Sequence, residues 1–188
     1  MLANRILWLA LIALVLAGSA AAAQDVSPLS GYSLSVGAFR PSASSTRDNL
    51  GATWLDVRLG WKMPNVPIGD QQLEVGYLRA SGETLTGGVK TKARIIPLAY
   101  TYRTPTVPGA RFYTGGGIGA YFTKIEGLNS AGAPTAGASE SKTKFGLHAL
   151  VGMKVAPRID AELRYTWISS KLAAQKLSGF TLSLCGTF

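Results

Sequence analysis

Phe180-Thr181-Leu182-Ser183-Leu184-Cys185-Gly186-Thr187-Phe188, the last stretch of the sequence, decides the fold. Phe180, Leu182, Leu184 and Phe188 fall on one parity, while Thr181, Ser183, Cys185 and Thr187 fall on the other. Successive side chains of a β-strand point to opposite faces, so the pattern describes a strand with one apolar and one polar face. That apolar face opens and closes on a phenylalanine.

Toward the N-terminus the same period recurs, giving eight segments near 31–40, 53–62, 71–80, 90–103, 110–123, 144–155, 158–169 and 177–188. Each is bounded by Pro, Gly, Asn, Asp or Ser, the residues that punctuate strands. The second is the clearest: Leu55, Val57, Leu59 and Trp61 oppose Asp56, Arg58, Gly60 and Lys62. The seventh repeats it, with Ile159, Ala161, Leu163, Tyr165 and Trp167 against Asp160, Glu162, Arg164 and Thr166. No segment after Ala23 holds a helical period as well, so the chain reads as all-β.

The first residues carry a different message. Arg5 precedes an unbroken apolar run from Ile6 to Ala17, and Ala21-Ala22-Ala23 stands before Gln24. That is the pattern of a secretory signal peptide spanning 1–23, with a mature domain over 24–188. The apolar run is too short for a bilayer-spanning helix, which needs about 20 residues. Loss of Arg5 lowers the net charge from +9 to +8, and a basic exported chain favours anionic surfaces such as lipopolysaccharide over nucleic acid. A single cysteine, Cys185, excludes a disulfide scaffold and reads as a small buried filler.

Connections alternate in length. Met63 to Asp70, Thr104 to Gly109 and Ala156-Pro157 are compact and contain Pro, whereas Pro41 to Ala52, Ser81 to Val89, Lys124 to Thr143 and Ser170 to Lys176 are polar and mostly longer. Transmembrane barrels have short periplasmic turns and long external loops, and an even strand number returns both termini to the periplasmic side. A soluble ligand-carrying barrel has the same alternation with its apolar face inward. Aromatic placement separates the two. On the apolar parity Tyr32, Trp61, Tyr100, Tyr102, Phe112 and Phe188 sit at the turn end, and Phe122, Phe145, Trp167 and Phe180 at the loop end. Two aromatic tiers on one face are the interfacial girdles of a membrane barrel. The opposite face of strand five, Tyr113-x-Gly115-x-Gly117-x-Gly119-x-Tyr121, fits a narrow lumen crossed by long side chains, or a local bend. Twenty-two glycines and only 15% charged residues agree with this, since about a quarter of a soluble domain is charged.

With the export signal, the alternating strands, Tyr113 to Gly117, the Glu162-Leu163-Arg164-Tyr165 stretch and the terminal Phe188, the sequence resembles the small bacterial outer-membrane β-barrel families around OmpA, OmpX and OmpW, broadly porin-like. The resemblance implies an eight-stranded antiparallel transmembrane β-barrel in the outer membrane, with Phe188 as the insertion signal read by the barrel assembly machinery. It implies no cofactor, and no peptidoglycan-binding domain of the OmpA kind is expected after Phe188.

Candidate sites follow from parity. Asp56, Arg58, Glu74, Lys154, Asp160, Glu162 and Arg164 point inward on the membrane reading and are expected to form a lumen ion-pair network, with Arg58 facing Glu74 and Lys154 facing Asp160. The network either replaces a hydrophobic core or gates a narrow conductive path. Lys90, Lys92 and Arg94 share the lipid-facing parity at the outer end of strand four and are expected to meet lipopolysaccharide phosphates. His148, the one histidine, reads as a hydrogen-bonded lumen residue, because a metal site needs further ligands. No catalytic constellation is found: a lipid A deacylase of this size places Ser two residues after His, where this chain has Leu150. The expected role is structural or a minor, gated permeability, with lipopolysaccharide contact and a monomeric state. Adhesion through the loops Ser42 to Asp48 and Asn129 to Ser141, whose composition predicts mobility, is the alternative, and lipid A modification a more distant one.

Overall fold

A computed structural model describes residues 31–63, 69–83, 88–104 and 110–188; residues 1–30, which include the expected leader 1–23, and the tips of three connections lie outside the described residues. Eight strands close into an antiparallel barrel in sequence order: β1 (Tyr32–Pro41), β2 (Trp54–Lys62), β3 (Asp70–Glu83), β4 (Lys90–Arg103), β5 (Phe112–Leu128), β6 (Pro134–Ala156), β7 (Ile159–Ile168) and β8 (Gly179–Thr187). One short helix, α1 (Ser44–Leu50), lies between β1 and β2. The barrel closes where β8 pairs with β1, and the chain end is tied in: Phe188 N–H donates to Tyr32 O at 3.0 Å, and Gly31 N–H to Phe188 O at 2.9 Å.

Parity is realised as expected of a membrane barrel. Leu59, Val75, Leu98, Leu147, Leu163 and Leu182 are exposed on the outer wall, whereas Asp56, Arg58, Glu74, Glu162 and Arg164 are buried inside. Exposed rings stand at both ends of that wall, Trp61 and Phe112 toward the turns, and Phe122, Phe145, Trp167 and Phe180 toward the loops. Inside, rings lie over cross-strand glycines. Tyr113 covers Gly152, Tyr121 covers Gly146 and the His148 imidazole covers Gly117, so a methyl group at any of these glycines would collide with the ring. The glycine stripe is therefore the space into which neighbouring side chains lean.

The loop end differs from the sequence reading in two ways. Ser42 to Asp48 is not a bare mobile loop: α1 buries Thr46 and Leu50, with Thr46 Oγ1 donating to Lys176 O at 2.9 Å. Leu50 then joins Phe39, Trp54, Leu78, Ile95, Tyr121, Ile125, Leu128, Ile168, Leu172 and Leu177 in one apolar cluster filling the barrel mouth. Lys124 to Thr143 is likewise not a loop but a continuation of the β5–β6 hairpin, paired Thr123↔Lys142, Ile125↔Glu140 and Glu126↔Ser139. Burial of Ile125 and Leu128 over the mouth stabilises it, and Asn129 closes its turn by accepting from Ala131 N at 3.1 Å and Ala133 N at 2.9 Å.

Candidate functional site

The lumen is stacked in three levels. At mid-height β3, β4 and β7 deliver Glu74, Arg103, Glu162 and Arg164 to one cluster. Arg164 Nη1 donates to Glu74 Oε2 at 2.5 Å and Nη2 to Glu74 Oε1 at 3.0 Å, while its Nε and Nη2 reach Glu162 Oε1 at 3.0 and 2.8 Å. Arg103 Nη2 joins the other side, 3.0 Å from Glu162 Oε2 and 3.3 Å from Glu74 Oε1. Two guanidiniums and two carboxylates thus neutralise one another where all four side chains are buried, as buried charge requires. Beside them Arg58 forks onto Asp56, Nε to Oδ1 at 2.9 Å and Nη2 to Oδ2 at 2.7 Å, and Thr181 Oγ1 donates to Asp56 Oδ2 at 2.9 Å.

The partners differ from those the sequence suggested. Arg58 does not face Glu74: the register sets Arg58 against Gly76 and Glu74 against Gly60, so each finds its partner elsewhere. Lys154 does stand opposite Asp160, but a bulge follows it, its side chain is exposed, and among the described residues no ion pair joins the two. Arg103 was absent from the sequence reading, although it lies on the inward parity of β4 with Ala99 and Thr101. His148 Nε2 is 3.0 Å from Thr101 Oγ1, beside the cluster.

Above this level the apolar cluster blocks the mouth. Below it a cavity of about 620 Å³ opens at the turn end, lined among others by Gln72, Arg103, Tyr113, Asp160 and Cys185. The interior thus offers a blind vestibule, a charged plug and an apolar cap.

On the outer wall, Lys90, Lys92 and Arg94 are all exposed, and the register adds two cations that the sequence did not single out. Arg79 is the direct partner of Arg94, and Arg94 of Lys124, so three positive side chains stand abreast on β3, β4 and β5. Just beneath this row the wall turns apolar at Tyr77, Ile96 and Phe122. Lys124 pairs along its own strand with Glu126 at 2.7 Å, and this contact, with Lys92 and Arg94 nearby, holds the Glu126 carboxyl below its ordinary range. Among the described residues no carboxylate is ion-paired with Arg79 or Arg94.

A closed eight-stranded barrel with an apolar outer wall, two ring tiers and a charged interior defines an outer-membrane β-barrel protein. The chain belongs to the family of the outer membrane protein beta-barrel domain, whose model matches residues 10–187. Among solved structures it is similar to Ail, the attachment invasion locus protein of Yersinia pestis, in complex with the heparin analogue sucrose octasulfate, at 16% identity over 84% of this chain and 97% of that one, TM-score 0.55. It is similar to Neisserial surface protein A at 18% identity over 85% and 98%, TM-score 0.53, and to Ail in a phospholipid bilayer nanodisc at 14% over 84% and 98%, TM-score 0.51. No curated protein matches the sequence.

Proposed function

We propose that this outer-membrane barrel is a non-conducting structural protein that holds lipopolysaccharide by its phosphates on the β3–β5 wall. The reading rests on the abreast Arg79, Arg94 and Lys124 row directly above Tyr77, Ile96 and Phe122. Like charges directly opposed across strands destabilise a sheet unless something anionic lies over them. At the edge of an apolar belt the anions at the right height are lipid phosphates, and guanidinium forks suit them. Lys90 and Lys92 extend the surface away from the lipid. In this reading the leader 1–23 is cleaved, both termini face the periplasm, the assembly machinery reads Phe188, and the barrel works as a monomer.

The decisive test is the thermal midpoint of heat-modifiable gel mobility, measured for the purified barrel in zwitterionic micelles with and without added lipopolysaccharide. Ligand that binds only the folded state raises that midpoint. The rise is expected for the wild type and lost in Arg79→Gln/Arg94→Gln/Lys124→Gln, which removes the charges but leaves the barrel ladder. An equal rise in both proteins would refute the site. Unchanged lipid A mass spectra with and without the gene are expected, and a shift by an acyl chain would restore the enzymatic alternative. Binding of a protein at the surface is a second reading, favoured by the open edge of β6 beyond the end of β7.

A further inference from the structure

β4 carries a proline in mid-strand, at a position whose backbone faces a neighbour. Thr104 N–H donates to Thr114 O and Met63 N–H to Gln71 O, each at 2.8 Å, so even residues of β4 turn their N–H and C=O to β5, and odd residues of β3 turn theirs to β2. Across the β3–β4 seam the bonds therefore fall on even residues of β3 and odd residues of β4. Continued in register from Val75↔Leu98, Gly76 stands opposite Pro97 in such a pair. Proline has no N–H to give, so Gly76 C=O loses its ladder donor, and the pairing lapses until Leu78↔Ile95.

Among the described residues no side chain inside the barrel donates to that carbonyl instead: the Pro97 ring and the Arg58 stem stand where a Gly76 Cβ would be, and Arg58 is forked onto Asp56. Gly76 is half-buried, whereas Glu74 and Leu78 on the same parity are buried. The outer side of the gap is the apolar wall, where Val75, Tyr77, Ile96 and Leu98 are all exposed. An unpaired backbone carbonyl is costly in hydrocarbon, so a donor brought by the lipid itself is favoured there.

The gap lies beneath the cation row. Gly76 precedes Arg79 by three residues, and Pro97 follows Arg94 by three. That is about 10 Å along the strands and, at a tilt of about 40°, about 8 Å of depth toward the bilayer centre. Lipid A carries hydroxyls on the third carbon of its sugar-linked acyl chains, a short reach below its phosphates, whereas the chains of a glycerophospholipid have no donor. Phosphate occurs in both, so Arg79, Arg94 and Lys124 alone do not tell the two apart.

We propose that Gly76 C=O is a specificity-determining contact of this wall: it accepts a hydrogen bond from an acyl-chain hydroxyl of the lipid whose phosphate lies on Arg79 and Arg94, and Pro97 keeps it open for that bond. This contact rests on the phosphate reading above and adds to it the choice of lipid A over phospholipid.

Gly31 and Gly76 are the only glycines followed by tyrosine, so a barrel labelled with carbon-13 at glycine carbonyls and nitrogen-15 at tyrosine reports those two carbonyls alone in magnetic resonance. Gly31 O already accepts from Lys62 N–H at 2.7 Å and serves as the reference. The labelled barrel in phosphatidylcholine nanodiscs is titrated with two synthetic lipid A compounds, one with free chain hydroxyls and one with plain tetradecanoyl chains. Both should raise the thermal midpoint, because both carry the phosphates. Only the hydroxylated compound should move the Gly76 carbonyl downfield while Gly31 stays still, and it should bind about fivefold tighter, the worth of one hydrogen bond. In Pro97→Ala the restored N–H should bring Gly76 downfield before any lipid is added and erase that preference. A midpoint raised equally by both compounds with Gly76 unmoved overturns this contact and leaves the phosphate site standing. A Gly76 shift of equal size with the plain chains overturns it as well, since a donor other than the hydroxyl then meets the carbonyl. If neither compound raises the midpoint, the phosphate site falls and this contact falls with it.

Discussion

Arg164 on β7 grips Glu74 on β3 with two parallel bonds of 2.5 and 3.0 Å, joining strands that are not neighbours in the sheet. Such a strut crosses the lumen. It fixes the barrel's cross-section by charge-assisted bonds where a soluble protein would use apolar packing, and on the other side Arg164 Nε and Nη2 converge on the single oxygen Glu162 Oε1.

Cutting the strut at one end should be costly. Arg164→Ala leaves Glu74 and Glu162 buried with Arg103 alone between them, and a broken buried pair loses about 3–5 kcal/mol. Urea unfolding followed by gel mobility is expected to show that loss. The double variant Arg164→Met/Glu74→Leu should lose less than Arg164→Ala, because no orphaned Glu74 carboxylate remains. A single variant as stable as the wild type would mean that water, not Arg164, satisfies the glutamates.

Gly152 gives a second, sharper test of the interior. The Tyr113 ring occupies the place of its missing methyl, and no other atom is as close. Gly152→Ala should destabilise the barrel by about 1–3 kcal/mol, the usual effect of overpacking. Adding Tyr113→Ala to Gly152→Ala should cost less than Tyr113→Ala costs in the wild type, since removing the ring then also relieves the clash. Strict additivity in the four-member cycle would show that ring and glycine do not interact.

Glu140 ties the β7–β8 loop to β6, and the loop should loosen in acid. Its carboxyl is held below the ordinary 4.5, first by the hydrogen bond from Lys142 and also by Ala173 N–H. A depressed carboxylate contributes stability above its unfolded pKa and loses it as pH falls through the folded value. The tie is therefore expected to persist at pH 7 and 5 and to fail only below 4.5. Amide exchange at Ala173, corrected for intrinsic rate, should rise in that range for the wild type and be raised at every pH in Glu140→Ala. A rise centred near pH 6 would point to a different group.

β2 and β7 were legible in the sequence because Leu55 to Lys62 and Ile159 to Trp167 alternate apolar residues with charged or small polar ones, and Asp56, Glu162 and Arg164 lie inside for that reason. The pairing among them was not legible. Parity gives the face, whereas partner choice depends on register across the closed barrel, which set Glu74 against Gly60 instead of Arg58. Arg103 escaped notice at a strand end, where alternation has few residues left to show itself. The apolar cap was hidden for a different reason: Phe39, Trp54 and Ile95 break the polar-inside rule only near the loops, and their burial depends on α1 and Leu172 arriving from distant sequence. Pro134 to Thr143 reads as a loop by composition, yet it forms a strand because β5 supplies its ladder and the mouth buries Ile125 and Leu128.

The same stacking predicts electrical silence. A solute entering the vestibule of about 620 Å³ meets Arg103, then the Glu74–Arg164 strut, and beyond it a dry cluster that includes Trp54, Phe39 and Leu172. An ion would have to leave water and cross both barriers, and dehydration in an apolar constriction is the larger one. Planar bilayer recordings of the purified protein are expected to show no discrete conductance. Arg58→Ala alone should stay silent, because Asp56 and Arg58 lie beside the strut and the cap remains. Conductance steps in the wild type that change in size in Arg58→Ala would place the ion path through Arg58 and replace the closed interior with a gated one.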